Sequence, residues 1–208
     1  MNIAVFGGTG RTGRHVVEQA LAAGHSITAL ARTPAKLPKH ERLVVIGGDV
    51  QDPSAVEKTV AGSEAVISVL GPTSNEPTFE VSKGMRHILA AMQKHGVRRL
   101  IISAGAGVGD PNDTPKLSNK AINLLLKLLA RNVYEDMKGA VDVVRASEHD
   151  WTIVRVPRLI DGPKTGLIKV GYVGNGMGMQ INRADMAGFM LDQLQNGAYI
   201  RKAPAISN

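Results

Sequence analysis

The sequence predicts an α/β fold, a doubly wound parallel sheet with helices on both faces, forming a single domain over residues 1–208. Three observations carry that expectation. A short apolar run, Asn2 to Phe6, leads into a glycine turn and then into Val16, Val17, Ala20, Leu21 and Ala23, an apolar stripe at helical spacing. Short apolar strand-like runs then alternate with longer helical patterns along the chain, as repeated strand–helix–strand units require. No internal repeat, low-complexity segment or linker interrupts the pattern, so 208 residues suit one core with a small extension rather than two independent domains.

The first turn reads Gly7-Gly8-Thr9-Gly10-Arg11-Thr12-Gly13. Gly8-x-Gly10-x-x-Gly13 has the dinucleotide-binding spacing, and Gly7-x-x-Gly10-x-x-Gly13 overlaps it in a second register. Side chains at these glycines would obstruct the tight turn, the approach of a pyrophosphate and the contact between helix and strand. Backbone N–H groups at a helix start carry partial positive charge, so Gly7, Thr9, Gly10, Arg11, Thr12 and Gly13 are candidate cofactor residues.

Ser26 to Ala31 is a second strand, ending at Arg32. In a dinucleotide fold this position meets the adenosine ribose, where a carboxylate suits NAD and an arginine suits the 2′-phosphate of NADP. Arg32 stands there without an adjacent acid, and Lys36 offers a second cation. Arg42 to Ile46 is a third strand. Asp49, beyond it, either accepts from the adenine amino group with Val50 on the ring, or serves only the turn before the helix that Pro53 opens. Glu64 to Leu70 is a fourth strand, which carries Leu70 and Gly71 past the nicotinamide ribose.

A helix is expected from about Thr78 to His95, with Val81, Met85, Ile88, Leu89 and Met92 along one face, the methionines as core. Val97 to Ser103 is the fifth strand. Ser103 either meets the carboxamide or a substrate carbonyl, or simply ends the strand. Asp110 to Pro115 reads as a flexible entrance loop, and Lys116 to Asn132 as a helix, a lid or an ordinary packed one. The next helix, from about Tyr134 to Ser147, places Tyr134 and Lys138 on one face, where the ammonium can assist the phenol as a proton donor. Trp151 to Val156 is the sixth strand. Pro157 and Leu159 follow it toward the nicotinamide, with Arg158 placed to meet an acidic substrate. Gly166 to Val173 suggests a short hairpin or a looped insertion near the pocket, Asn182 caps a helix to about Leu194, and Ala198 to Ala203 adds a last strand. The substrate-side elements are thus about 105–135 and 157–182.

Composition narrows the chemistry. The chain has no cysteine, which excludes disulfides, thiolate metal sites and cysteine nucleophiles. Its six histidines lack zinc-ligand spacing, and no metal site is expected. No Gly-x-Ser-x-Gly elbow or P-loop lysine is present. The formal charge of +7 permits a polyanionic partner, but aromatics make up only 3%, too few for stacking single-stranded bases, so a phosphate-rich small molecule is expected rather than nucleic acid. A first strand beginning at Asn2 leaves no room for a signal peptide, and no run approaches a membrane span. These features point to a cytoplasmic protein, expected to be a monomer.

Gly7 to Gly13, Arg32-Thr33-Pro34-Ala35-Lys36-Leu37-Pro38, Gly48-Asp49-Val50, Leu70-Gly71, Trp151 to Arg155 and Arg183-Ala184-Asp185 together resemble the atypical short-chain dehydrogenases, a Rossmann-like family. Within them the chain is most similar to the biliverdin-IXβ and flavin reductases and to NmrA-like proteins. The resemblance implies NADPH as cofactor, with Gly10, Thr12 and Gly13 at the pyrophosphate, Arg32 and Lys36 at the 2′-phosphate, Asp49 and Val50 at the adenine, and Leu70 and Gly71 at the ribose. Pro157, Arg158 and Leu159 match the nicotinamide-lining segment. It implies hydride transfer to a small-molecule acceptor, a flavin or a biliverdin-like open tetrapyrrole, with FMN or riboflavin as substrate rather than prosthetic group. Two positions depart from the reductases. Gly105 stands where they have a serine, with Ser103 two residues earlier, and Arg158 replaces a histidine. Alternative expectations are a non-catalytic NADP-binding redox sensor and a reductase of small carbonyls using Tyr134 and Lys138.

Overall fold

The computed structural model describes residues 1–115, 128–174 and 176–208. Eight strands form one sheet. In chain order its first six strands are β1 (Asn2–Phe6), β2 (Ser26–Ala31), β3 (Leu43–Gly47), β4 (Ala65–Ser68), β5 (Arg99–Gly105) and β6 (Asp150–Val156). β7 (Arg158–Ile160) and β9 (Gln180–Asn182) pair apart as a small second sheet, while β8 (Lys169–Gly171) and β10 (Ala205–Ser207) complete the large one. The order is β3-β2-β1-β4-β5-β6-β10-β8, all parallel except for the antiparallel pairing of β10 with β8. The chain winds outward in both directions from the β1–β4 pair, and that reversal opens a crevice at the carboxyl ends of the strands.

Successive side chains in a strand face opposite ways, and both faces of this sheet are covered. Ile3 and Val5 pack with Val16, Val17 and Leu21 of α1 (Arg11–Ala22) and with Met186 and Met190 of α5 (Arg183–Asp192). Ala4 and Phe6 face the other layer, formed by α2 (Pro53–Val60), α3 (Glu80–Lys94) and α4 (Arg131–Arg145). Met85 and Met92 are core residues there, as their spacing predicts. Asp52 caps α2 through a 2.9 Å bond from the Ser54 N–H. Among the described residues no helix is long and apolar enough to cross a membrane, and no group of three potential metal ligands converges.

Several expectations require correction. The last strand is Ala205–Ser207, because residues 197–199 turn in a short 3-10 helix before the chain returns beside β6. Residues 169–171 pair with that late strand instead of folding back on their neighbours as a local hairpin. α4 begins at Arg131, ahead of Tyr134, and most of the helix expected from Lys116 to Asn132 lies outside the described residues. Asn182 holds the N-cap position of α5 without a side-chain cap bond, its amide donating instead toward Pro163 O and Asp185 Oδ2.

Candidate functional site

The crevice is lined by the carboxyl ends of four strands and the loops that leave them. Phe6, Gly7 and Thr9 come from β1 and its turn, Leu30, Ala31 and Arg32 from β2, and Gly48, Asp49 and Val50 from beyond β3. Leu70, Gly71 and Thr73 follow β4, and Glu80 and Val81 open α3. Gly7, Thr9, Arg32, Asp49, Val50, Leu70 and Gly71 therefore share one cleft.

The glycine turn folds as its residue types demand. Gly7 has φ of +83°, a left-handed conformation, and a Cβ on Gly13 would lie 2.0 Å from the Gly7 carbonyl oxygen. Only glycines let the start of α1 sit this close to β1. Gly10 is the N-cap, and no side-chain cap bond is made there. The first N–H groups of α1, from Arg11, Thr12 and Gly13, thus face the end of the turn without a capping side chain, the arrangement that receives an anion. No heavy atom beyond its neighbours lies within 4 Å of where a Cβ on Gly71 would be, so the floor of the cleft is open at that point. These residues fit the pyrophosphate and riboses of a dinucleotide.

Where the β2 and β3 ends meet, Arg32 Nε lies 3.9 Å from Asp49 Oδ2, both side chains substantially exposed. The acid absent from Arg32's sequence neighbourhood is thus supplied across the cleft by the β3 loop. Asp49 Oδ1 also accepts from the Gln51 N–H at 2.8 Å, so it does serve the turn. Lys36, exposed at the end of a 3-10 turn that begins at Pro34, lies outside the cleft lining. Val50 seats against α3: a Cβ on Gly84 would fall 2.4 Å from Val50 Cγ2, and His87 Nδ1 lies 2.9 Å from the Val50 carbonyl.

The acceptor-side candidates are more dispersed. Ser103 is half-buried within β5, two residues before its end, and pairs with Val154. Strand alternation puts it on the face of Ile101, toward α1 and α5. Pro157 joins β6 to β7. Arg158 is exposed at the start of β7, and Leu159 packs against the core below. Tyr134 and Lys138 sit one turn apart on α4. The ammonium is hydrogen-bonded to Asp142, which holds its pKa above the usual lysine value. None of Ser103, Tyr134, Lys138, Pro157, Arg158 or Leu159 lines this cleft.

Arg11 is not among the residues that line the cleft. It pairs with Asp161, whose other oxygen accepts from Arg183 Nη1 at 2.8 Å. The Arg11 hydrogen bond leads in holding the Asp161 carboxyl below the ordinary range, against the opposing effect of burial. The entrance loop at 110–115 is likewise anchored. Asp113 accepts two bonds from Arg155, at 2.6 and 2.8 Å, and one from the Val173 N–H at 2.9 Å. Glu80 and Val81 are site residues that sequence reasoning missed. Val81 carries an apolar core signal, and only the position of α3 after the β1–β4 reversal could have placed its first turn in the cleft.

Comparison with known proteins agrees with this geometry. The model of the NAD(P)H-binding family matches residues 7–197. A 3-beta-hydroxysteroid dehydrogenase of Mycolicibacterium neoaurum is 29% identical over 118 residues, 51% of this chain and 32% of its own, so the chain spans about a third of that relative. A short-chain dehydrogenase/reductase of Veillonella parvula DSM 2008, solved in complex with NADP, superposes with a TM-score of 0.84 at 21% identity, covering 100% of this chain and 94% of its own. SP1627 of Streptococcus pneumoniae TIGR4, a candidate NADH-flavin reductase, gives 0.78 at 23%, covering 100% and 99%. ChuY of Escherichia coli O157:H7, an anaerobillin reductase, gives 0.77 at 22%, covering 100% and 97%. At these identities the structural likenesses establish the fold alone, a mostly parallel Rossmann-like sheet.

Proposed function

The chain belongs to the NAD(P)H-binding family, and on that premise we propose that it is an NADPH-dependent reductase. Its acceptor is a flat, conjugated, partly anionic molecule, a flavin such as FMN or riboflavin or an open tetrapyrrole of the biliverdin type. The observation that carries the donor half is Arg32, exposed at the end of β2 and lining the adenosine side of the cleft. Its long, exposed contact with Asp49 contributes little stability and is readily exchanged for a 2′-phosphate. Lys36 adds a second cation from the neighbouring turn.

The remaining roles follow the cleft. The N–H groups of Thr12 and Gly13, with the Gly10 turn, hold the pyrophosphate, and Val50 supports the adenine. Leu70 and Gly71 set the ribose, and Pro157 and Leu159 shape the nicotinamide wall. When bound, the reduced nicotinamide supplies the hydride. Ser103 and Arg158 orient the acceptor, and Arg158 complements its negative charge. The proton comes from solvent or from Tyr134, with Lys138 beside it. Such chemistry asks the protein chiefly for orientation, which suits a site with few acid–base groups. Likeness to SP1627 and ChuY supports an acceptor of this class, and the chain acts on it as a monomer.

The test is oxidation of NADPH by the purified protein with FMN and with biliverdin as separate acceptors, and with NADH as a parallel donor. Acceptor-dependent turnover favouring NADPH is expected. Arg32→Ala removes a charge-assisted phosphate contact worth about 1.5–3 kcal/mol and narrows that preference by roughly 10–100-fold. Tight NADPH binding without turnover of either acceptor would instead support a redox sensor or a carbonyl reductase.

A further inference from the structure

Arg11 opens α1 at the phosphate turn, and Asp161 comes directly after β7, whose other end adjoins Pro157. The Asp161 carboxylate bridges two guanidiniums of different character. Arg183, at the start of α5, is 10% exposed in its side chain, whereas Arg11 is 70% exposed. Asp161 thus has one fixed partner and one adjustable partner.

The segment that carries Asp161 is fastened to α5. Asp185, fully buried, accepts from the Thr165 N–H, the Thr165 hydroxyl and the Gly166 N–H at 2.8, 2.7 and 2.8 Å. A Cβ on Gly162 would lie 2.8 Å from Asn182 Oδ1, so the backbone there is pressed against the α5 N-cap residue. Toward α1 the segment is held by exposed side chains, Asp161 to Arg11 and Lys164 to Gln19 at 3.2 Å. Of these, Arg11 belongs to the first turn of α1, where an anion is received.

An exposed ion pair does little for stability. A guanidinium, however, has five N–H donors in a planar fork and can serve a carboxylate and a phosphate from different edges. We propose that Asp161 is a positioning residue: it holds Arg11 so that a pyrophosphate at the start of α1 shares that guanidinium, and through it ties residues 158–166 to the cofactor. Occupancy of the phosphate end is thereby transmitted to the wall of the nicotinamide pocket. The inference rests on the NADPH-binding reading above, though not on the identity of the acceptor.

The test uses 2′-phospho-ADP-ribose, which has the pyrophosphate and adenosine of NADPH but no nicotinamide. Any change it produces at 158–166 cannot come from direct nicotinamide contact. In the wild type, bound probe slows amide exchange across 159–166 by several-fold. Asp161→Asn still binds the probe and keeps protection of the glycine turn, but loses it at 159–166, and Asp161→Glu restores it. Arg11→Gln, altering the other partner, gives the same loss. Wild-type protection retained in Asp161→Asn or in Arg11→Gln would overturn the proposal, as would a wild type that binds the probe without protecting 159–166. Failure of the wild type to bind the probe at all would overturn the cofactor reading and this inference together.

Discussion

Arg155 has no exposed side-chain surface, and it is accommodated because its hydrogen-bonding edges are occupied: Nε donates to the Ala203 carbonyl at 2.7 Å and both terminal nitrogens to Asp113. Replacing Asp113 with Ala leaves that guanidinium buried without a counter-charge and is expected to cost about 3–5 kcal/mol in chemical denaturation. Burial pushes the Asp113 carboxyl up, but the Arg155 hydrogen bonds and the Val173 and Asp110 N–H groups outweigh it and hold the group below its ordinary value. A depressed folded value means that the stabilisation is fully present above the ordinary carboxylate range, about pH 4, and is lost as pH falls through the lower folded value. Stability of Asp113→Ala should therefore depend less on pH in that acidic window than that of the wild type. None of this was legible in the sequence, where residues 110–115 are simply polar. A pair of charges separated by 42 residues leaves no periodicity to read. The glycines were legible because backbone geometry restricts the residue type locally.

Among the elements, α3 shows how much depends on neighbours. Its apolar stripe announces a helix, yet its start is fixed from elsewhere. Phe79, the N-cap, has φ of +52°, and the N–H groups of Val81 and Ser82 donate to the buried Asp136 of α4 at 3.0 and 2.7 Å. The cap lies more than fifty positions along the chain, so the sequence places the helix from Thr78 to His95 while the structure confines it to Glu80–Lys94. The same helix supplies the notch for Val50. Gly84→Ala would drive a methyl group into the Val50 side chain and displace the loop after β3, which Gln51 also ties to the Glu80 carbonyl at 2.7 Å. Overpacking of this kind costs about 1–3 kcal/mol. Where the loop yields rather than the helix, binding of 2′,5′-ADP measured by calorimetry should weaken by roughly tenfold.

Over the whole molecule, the order of strands was implicit in the sequence, because a glycine turn after the first strand and a run of strand–helix units leave few topologies open. What escaped it was the acceptor side, where short pieces meet from distant parts of the chain: β8 with β10, β7 with β9, and the loop at 110–115 with β6. Such pairings have too few residues to carry a periodic signal. The net charge of +7 acts at this scale as well. On the proposed function, a cofactor bearing several phosphate charges would be drawn by the summed field as well as by Arg32, so NADPH affinity should fall several-fold as ionic strength is raised from low to high salt. An affinity indifferent to salt would assign recognition to backbone N–H groups alone.

The position of β10 between β6 and β8 has a consequence for synthesis. Residues 205–207 leave the ribosome after the other described strands, and until they arrive β8 has no place in the large sheet. The glycine turn and the cleft lining, drawn from residues 6–81, emerge much earlier. A nascent chain can therefore assemble the cleft before the far edge of its sheet exists, and translation order separates the two in time.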